Sequence, residues 1–231
     1  VVLIVSGNMV YGDKTDPTIT VDYSANNDEA TAIKNTFASE IEKDLVYRYF
    51  NYTEDAHGNV TVGAEIEDLS QVVAGTYLIL ITSNSTNFNV EFENSLTYDG
   101  KTVGYGYLTV AKRNITITVE GGTWEYNGQY RFATNYYISS GSFAENDDFN
   151  ISLIELSSIK NVGTVPATIK NIANANIILK NGKDGVRNSY NITMDERSLT
   201  ITRKELQIKV NVTPGTMTYG DVAPSVSLTY T

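Results

Sequence analysis

The sequence predicts an all-β fold built from tandem small modules, with one amphipathic helix inserted in the first module. Three observations carry this prediction: segments that alternate apolar and polar residues, an opening that occurs three times, and one segment with helical spacing. The alternating segments include "YLTVAK" and "SLTITR", and a period of two is typical of strands with one buried face. Each module is then a small β-sandwich or a β-grasp-like sheet, and the pattern leaves both open.

The internal repeat is visible in three openings that share a strand, a turn with glycine close after an aromatic residue, and a second strand. They read "LIVSGNMVYGDKTDPTITVDY" (3–23), "ITVEGGTWEYNGQYRFATNYY" (117–137) and "IKVNVTPGTMTYGDVAPSVSLTY" (208–230). Two closings match as well, "GYLTVAKRNITITV" (106–119) and "RSLTITRKELQIKV" (197–210), and each contains a basic pair, Lys112-Arg113 or Arg203-Lys204.

Repetition of this kind predicts structural units that pack against one another. We place a first repeat at 1–112, a second repeat at 113–203, and the opening strands of a truncated third repeat at 204–231. We expect the strands of 205–231 to add to the end of the second repeat or to another copy.

The segment "NNDEATAIKNTFASEIEKDL" differs from the rest because its apolar residues follow a helical spacing. It predicts an amphipathic helix over 28–44 that lies on the sheet as a lid, with one face formed by Ile33, Phe37, Ile41 and Leu45. The chain then returns as a strand over 45–53, and "EDAHGNV" around His57 predicts a hairpin turn.

The tripeptide Tyr-Gly-Asp, followed by proline, occurs at the turn of the first and third openings. Glycine accepts a positive φ, aspartate can accept hydrogen bonds from nearby backbone amides, and proline holds the next residues extended. We predict a structural corner in which the tyrosine packs at the end of the sheet. Its residues are Tyr11, Gly12, Asp13 and Pro17 in the first opening and Tyr219, Gly220, Asp221 and Pro224 in the third.

The composition argues against several classes of function. The 231 residues carry a net charge of −10 with no cysteine and one histidine. An acidic chain without a basic patch is unsuited to nucleic acid, and no run approaches the roughly 18 apolar residues that membrane insertion needs. One histidine and no thiol leave no recognisable triad or transition-metal centre. We therefore expect no catalytic site.

Two groups of residues are candidates for binding. The one dense aromatic stretch would suit stacking on a sugar, although aromatic residues in strands also fill cores; its candidates are Trp124, Tyr126, Tyr136 and Tyr137. Oxygen donors in the turn "ENDDFN" would suit calcium, without the spacing of an EF-hand; they are Asn146, Asp147 and Asp148. We expect no other cofactor.

The order of these motifs resembles the MBG-type repeats, of the YGX kind, of bacterial cell-surface proteins and adhesins. The matching pieces are "YGD" with its proline, "GTY" (75–77), "NFN" (87–89) and "LTV" (108–110), then "GTV" (163–165), "YN" (190–191) and "LTI" (199–201). The second repeat departs from the pattern at "EYNGQYR", which lacks the aspartate and the proline. The resemblance implies β-rich, extracellular tandem modules without catalysis, on the cell surface or cell wall, and it transfers no ligand residue.

These observations predict a non-catalytic stalk or adhesion module of a bacterial cell-surface protein. Its expected partners are neighbouring repeats of the same chain and a host glycan or protein. The alternative is a carbohydrate- or mucin-binding module that uses the aromatic stretch near Trp124.

Overall fold

The computed structural model describes residues 2–23, 28–195, 197–210, 217–222 and 228–230. The fold is mostly β, with 52% strand and 11% helix. One α-helix, α1 (Asp28–Glu42), is present in the described part of the chain. The all-β class is therefore confirmed, whereas tandem sandwich or β-grasp-like modules stay a prediction.

Contacts divide the chain into two compact units that interleave along the sequence. The first unit contains Val1–Ile117, Tyr137–Glu155 and Asn171–Asp195, and the second contains Thr118–Tyr136, Leu156–Lys170 and Glu196–Thr231. Each unit therefore draws on several stretches of chain. The repeat boundaries after residues 112 and 203 rest on sequence similarity and stay a prediction.

The first unit contains an eight-stranded sheet. Its strands are β1 (Val2–Val10), β2 (Thr18–Tyr23), β3 (Leu45–Glu54), β4 (Val60–Ile66), β5 (Gly75–Ser83), β6 (Glu91–Phe92), β7 (Ser95–Tyr98) and β8 (Lys101–Ala111). The order is β2-β1-β8-β5-β3-β4, with β6 also beside β1 and β7 beside β8. β1 is parallel to β8, and β5 is antiparallel to both of its neighbours. Every residue of β5 from Tyr77 to Ile81 is buried, as expected of a central strand covered on both faces.

An apolar cluster covers one face of this sheet. It consists of Phe50, Leu78, Leu80 and Val103, with partly buried tyrosines around it. Phe50 meets Tyr98 edge to face, with ring centroids 5.3 Å apart. Each such side chain contributes about 1.5–3 kcal/mol when it is fully buried. The period-two alternation of the strands thus places an apolar layer on this face.

The predicted helix over 28–44 is confirmed as α1, which ends two residues earlier than predicted. Ile41 is fully buried, and the ring of Phe37 contacts that of Phe88 with centroids 5.4 Å apart. Phe37 is nevertheless 39% exposed. Leu45 begins β3 instead of extending the helical face. The helix is therefore anchored most firmly at its C-terminal end.

The hairpin turn predicted around His57 joins β3 and β4. Asp55 Oδ1 accepts hydrogen bonds from the N–H groups of His57 and Asn59, at 2.8 and 2.9 Å. The Asn59 side-chain amide also donates to Asp55. This bond makes the largest contribution, and with the two backbone bonds it holds the pKa of Asp55 below its ordinary value. The turn prediction is confirmed.

Shorter sheets make up the rest of the described chain. Their strands are β9 (Arg113–Val119), β10 (Gly122–Glu125), β11 (Arg131–Phe132), β12 (Tyr136–Ser140), β13 (Asp147–Phe149), β14 (Ser158–Ile159), β15 (Gly163–Ala167), β16 (Ile178–Lys180), β17 (Lys183–Asp184), β18 (Tyr190–Asp195), β19 (Arg197–Thr202), β20 (Ile208–Val210) and β21 (Leu228–Tyr230). The sheet orders are β12-β9-β18, β13-β16-β17, β10-β19-β15, β11-β14 and β20-β21. Among the described residues β20 and β21 pair with each other. The expectation that 205–231 adds to the end of the second repeat or to another copy stays a prediction.

Two groups of three strands share one pairing register. Residues 108–110 of β8 pair with 75–77 of β5, and residues 199–201 of β19 pair in the same way with 163–165 of β15. On its other edge, each of these central strands pairs with a parallel strand, β1 or β10, again in matching register. The sequence similarity between the two closings therefore corresponds to a similarity in strand pairing.

Candidate functional site

The turn after β1 has the corner geometry that Tyr-Gly-Asp predicts. The N–H of Asp13 donates to the carbonyl oxygen of Val10 at 3.0 Å, and Gly12 has a φ of +74°. A positive φ at the third turn position is typical of a type II turn and favours glycine. Pro17 is buried just before β2, and Tyr11 is 0% exposed. The turn thus directs the Tyr11 ring into the core of the first unit.

Tyr11 belongs to a buried group with Asp147 and Tyr190, the Tyr–Asp–Tyr cluster. Both tyrosine hydroxyls donate to Oδ2 of Asp147, from Tyr11 at 2.9 Å and from Tyr190 at 2.5 Å. The two rings meet edge to face with centroids 5.4 Å apart, and the N–H of Ala144 donates to the Tyr190 hydroxyl at 2.8 Å. The three side chains are at most 9% exposed. Because hydrogen bonds to a charged acceptor are roughly twice as strong as neutral ones, this cluster holds the turn on β13 and β18.

Burial changes the acidity of both tyrosines in the cluster. Desolvation, followed by the hydrogen bond to Asp147, raises the pKa of Tyr11 and of Tyr190 well above the ordinary value of 10.0. The Nζ of Lys180 lies 5.3 Å from the centroid of the Tyr11 ring. Both phenols are therefore protonated donors at neutral pH, which is the form that the Asp147 carboxylate requires.

Arg113 holds the same turn from a second side. Its Nε donates to the carbonyl oxygen of Tyr11 and its Nη2 to Oδ1 of Asp13, both at 2.8 Å. The Arg113 side chain is 21% exposed. A second ion pair, between Lys14 and Glu145 at 3.0 Å, is mostly exposed to solvent. The turn of the predicted first repeat is thus held by residues of the predicted second repeat.

The Tyr-Gly-Asp turn of the third opening has the same backbone form in a different environment. The N–H of Asp221 donates to the carbonyl oxygen of Thr218 at 3.0 Å, and Gly220 has a φ of +102°. Tyr219, however, is 106% exposed. Pro224 lies outside the described residues.

The predicted aromatic residues lie on β10, directly after it, and on β12. Trp124 is half-buried in β10, with the Cζ of Arg131 5.7 Å from its ring centroid, and Tyr126 is 39% exposed. Tyr136 is half-buried and Tyr137 is 45% exposed. Because Tyr136 and Tyr137 are consecutive residues of β12, their side chains project from opposite faces.

Tyr126 lines an open groove of the second unit, which we call the Tyr126 groove. Its volume is about 500 Å³ and its lining residues are Tyr126, Asn127, Val162, Arg203, Lys204 and Leu206. Val162 is 47% and Leu206 75% exposed. The groove therefore combines uncovered apolar side chains with two cations. Of these residues the sequence pointed only to Tyr126 as a binding candidate, and it marked Arg203 and Lys204 only as the basic pair of a closing.

The predicted calcium residues lie at the turn into β13. Asn146 has a φ of +65°, and Oδ1 of Asp148 accepts a hydrogen bond from the N–H of Phe149 at 2.7 Å. Oδ2 of Asp147 is occupied by the two tyrosine hydroxyls. Within the described ranges, no three His, Cys, Asp or Glu residues are grouped to hold a metal ion. Calcium at this turn stays a prediction.

Sequence reasoning missed the partners that complete the cluster. It noted Tyr190 only within a "YN" motif and Arg113 only as half of a basic pair, and it assigned Asp147 to calcium. Asp147 stands two residues before Phe149 in a strand-like segment, so period-two alternation puts both side chains on the same buried face, and this was the signal that Asp147 is a buried acceptor.

The comparisons with known proteins add no relative. No protein-family model matches the chain, and no curated protein or solved structure is significantly similar to it. Among the described residues, no helix is long and apolar enough to cross a membrane. What the fold and the cluster define is a mostly-β protein with recurring strand pairs, in which a buried carboxylate fixes the first turn.

Proposed function

We propose that this chain is a non-catalytic stalk or adhesion module of a bacterial cell-surface protein. The observation that carries the proposal is the Tyr–Asp–Tyr cluster, which joins Tyr11 of the predicted first repeat to Asp147 and Tyr190 of the predicted second. The placement on a cell surface comes from the resemblance to MBG-type repeats.

The physical argument concerns the free energy of separating the joined segments. Each hydrogen bond to a charged group contributes about 1.5–3 kcal/mol, and separating the segments breaks the two that Asp147 accepts. Arg113 adds two hydrogen bonds to the same turn. A chain held in this way resists separation of its repeats, which is the property that a stalk under tension needs.

Single-molecule stretching tests this role. We expect Asp147→Asn to lower the force at which the first unit of the full chain unfolds. Lys14→Ala is the matched control, because it removes only an exposed ion pair near the same turn. Equal forces for the unmodified chain and both variants would contradict the proposal.

Surface location has its own test. We expect antibodies against the chain to stain intact source cells. Staining that requires permeabilised cells would contradict this part of the proposal.

A carbohydrate- or mucin-binding module is the second candidate. The observation that favours it lies beside Trp124, where Arg131 has a buried Nε without a hydrogen-bond partner. Tyr130 and Phe132 are also 56% and 55% exposed. Exposed aromatic faces are groups that contact the apolar faces of sugars.

A glycan and mucin array tests this candidate. Binding that is lost on Trp124→Ala and kept on Phe37→Ala would support it, since Phe37 is a partly exposed aromatic residue elsewhere in the chain. Silence across the array would leave the stalk role as the proposal.

A further inference from the structure

We propose that the Tyr126 groove is the docking site for a further repeat of the same kind as residues 113–203. That repeat would present a carboxylate and a tyrosine to Tyr126, as Asp147 and Tyr190 do to Tyr11. This inference rests on the proposed structural role of the chain, and it names a further repeat as the partner that the Tyr126 groove binds.

The first step is that Tyr126 is the counterpart of Tyr11. β10 pairs with β19 in the register in which β1 pairs with β8. Immediately after these strands, the N–H of Tyr11 donates to the carbonyl oxygen of Ala111 at 2.8 Å, and the N–H of Tyr126 donates to that of Thr202 at 3.0 Å. The two tyrosines therefore hold equivalent backbone positions.

Two other groove residues have counterparts at the first turn. Val162 precedes Gly163 of β15 as Ala74 precedes Gly75 of β5, and these glycines pair equivalently. Lys204 follows β19 at the position that Arg113 holds after β8. Two residues that line the groove with Tyr126 therefore hold backbone positions equivalent to those of Ala74 and Arg113.

The second step is that the first site is covered and the second is open. Tyr11 is 0% exposed beneath Asp147 and Tyr190, and the N–H of Ala74 donates to Oγ of Ser189 at 3.0 Å. All three covering residues belong to the predicted second repeat. Tyr126 remains 39% exposed.

The charges of the groove fit such an occupant. Arg203 and Lys204 are both exposed at a groove that is otherwise largely apolar, in a chain with a net charge of −10. An aspartate carried by the incoming repeat would be attracted to this groove by the two cations. A second copy of this chain does not fit, because its own Tyr11 already occupies the Asp147 carboxylate.

An extended chain tests the proposal. In this extended chain, a second copy of residues 139–203 is joined after residue 231. Residues 208–230 correspond to the opening of a repeat, since Tyr230 pairs with Ile208 as Tyr23 pairs with Leu3, and residues 139–203 follow the same opening in the predicted second repeat. The readout is nitration of Tyr126 by tetranitromethane, followed by mass spectrometry. Because the added copy begins at residue 139, the extended chain contains Tyr126 only once, and its nitrated peptide is identified without ambiguity.

We expect nitration of Tyr126 to slow by roughly tenfold or more in the extended chain, because a covered side chain reacts only through local opening. Tyr130, which is 56% exposed, should keep its rate. The same extension with Asp147→Asn and Tyr190→Phe in the added copy should restore the rate at Tyr126. An unchanged rate at Tyr126 beside a folded added copy would overturn the proposal. The proposal would also be overturned if a glycan slowed nitration of Tyr126 in the original chain while the added copy did not slow it in the extended chain.

If circular dichroism shows that the added copy does not fold, Tyr11→Ala provides a second test. This variant frees the Asp147 carboxylate, so copies should associate through their Tyr126 grooves in analytical ultracentrifugation. The double variant Tyr11→Ala, Tyr126→Ala should stay monomeric. A monomeric Tyr11→Ala protein that retains its fold would overturn the docking proposal, whereas the stretching of Asp147→Asn tests the structural role separately.

Discussion

The hydroxyl of Tyr11 donates a 2.9 Å hydrogen bond to Oδ2 of Asp147, which lies 136 residues further along the chain. The same oxygen accepts the hydroxyl of Tyr190. A turn that looks local in the sequence is therefore fixed by two distant residues. This relationship makes the turn after β1 sensitive to changes far from it.

Removing the Tyr11 hydroxyl should destabilise the protein. We expect Tyr11→Phe to lower the free energy of unfolding by about 1.5–3 kcal/mol, the range for a hydrogen bond to a charged group. Urea denaturation measures the change, and Tyr130→Phe at an exposed position should stay within about 0.5 kcal/mol of the unmodified chain. In the double variant Tyr11→Phe, Asp147→Asn, the two losses of unfolding free energy should not add, because both substitutions affect the same hydrogen bond. Additive losses would contradict the cluster.

Stability should fall at alkaline pH. Burial and Asp147 raise the pKa values of Tyr11 and Tyr190 above the ordinary 10.0, and burial and Glu42 raise that of Tyr23 to about 12. The unfolded chain therefore loses these protons first, so their contribution is complete below about pH 10 and is lost as the pH rises above it. Thermal melts between about pH 8 and pH 12 should show the decline. Tyr190→Phe should flatten it, and an identical slope would count against the raised pKa.

Gly12 should tolerate a methyl group less well than Gly128. Both have positive φ values, +74° and +79°, which cost an alanine about 1–2 kcal/mol. At Gly12 the added Cβ would also lie 2.2 Å from Cβ of Ala144, whereas at Gly128 it meets nothing within 4 Å. We expect Gly12→Ala to lose at least about 1 kcal/mol more than Gly128→Ala, as overpacking does. Equal losses in urea denaturation would show that the turn does not pack on Ala144.

Lysine should not replace Arg113. The guanidinium bonds the carbonyl of Tyr11 and the carboxylate of Asp13 from two different nitrogens, a geometry that an ammonium group does not reproduce. We expect Arg113→Lys to cost about 1 kcal/mol despite its retained charge. Lys14→Ala, at the exposed pair with Glu145, should cost close to nothing. Full stability of Arg113→Lys would reduce the interaction to charge alone.

A chelator tests the predicted calcium site. If Asn146, Asp147 and Asp148 hold calcium, EDTA should lower the melting temperature, because a ligand that binds only the folded state stabilises it. Adding calcium back should restore the melting temperature, and Asp148→Asn should remove the effect. An unchanged melting temperature would eliminate calcium from this turn.

Much of the local structure follows from pattern alone. The helical spacing of Ile33, Phe37 and Ile41 predicted α1 to within two residues of its end. The alternation of residues 106–111 predicted β8, and "HGN" predicted the turn after β3. These features depend on neighbours a few residues away, so a linear pattern contains them.

The candidate site was harder to predict. Asp147 was predicted as a calcium ligand in a turn, because its hydrogen-bond partners are 136 and 43 residues away and do not show in the local sequence. An aspartate is written with the same letter in the sequence whether its carboxylate is buried or exposed. What distinguishes the two cases is the set of donors that the fold brings to the carboxylate, and that set is assembled only when distant strands pack.

The sequence by itself determined where strands and turns recur, because residue spacing and glycine chemistry act within a few positions. Tyr11 and Tyr126 accordingly follow strands that pair in the same register, and Tyr219 lies in a turn of the same form as Tyr11. Only the tertiary structure decided that Tyr11 is buried while Tyr126 and Tyr219 are exposed at 39% and 106%. The physical reason is that exposure depends on what packs over a side chain, and over Tyr11 that covering comes from Asp147 and Tyr190.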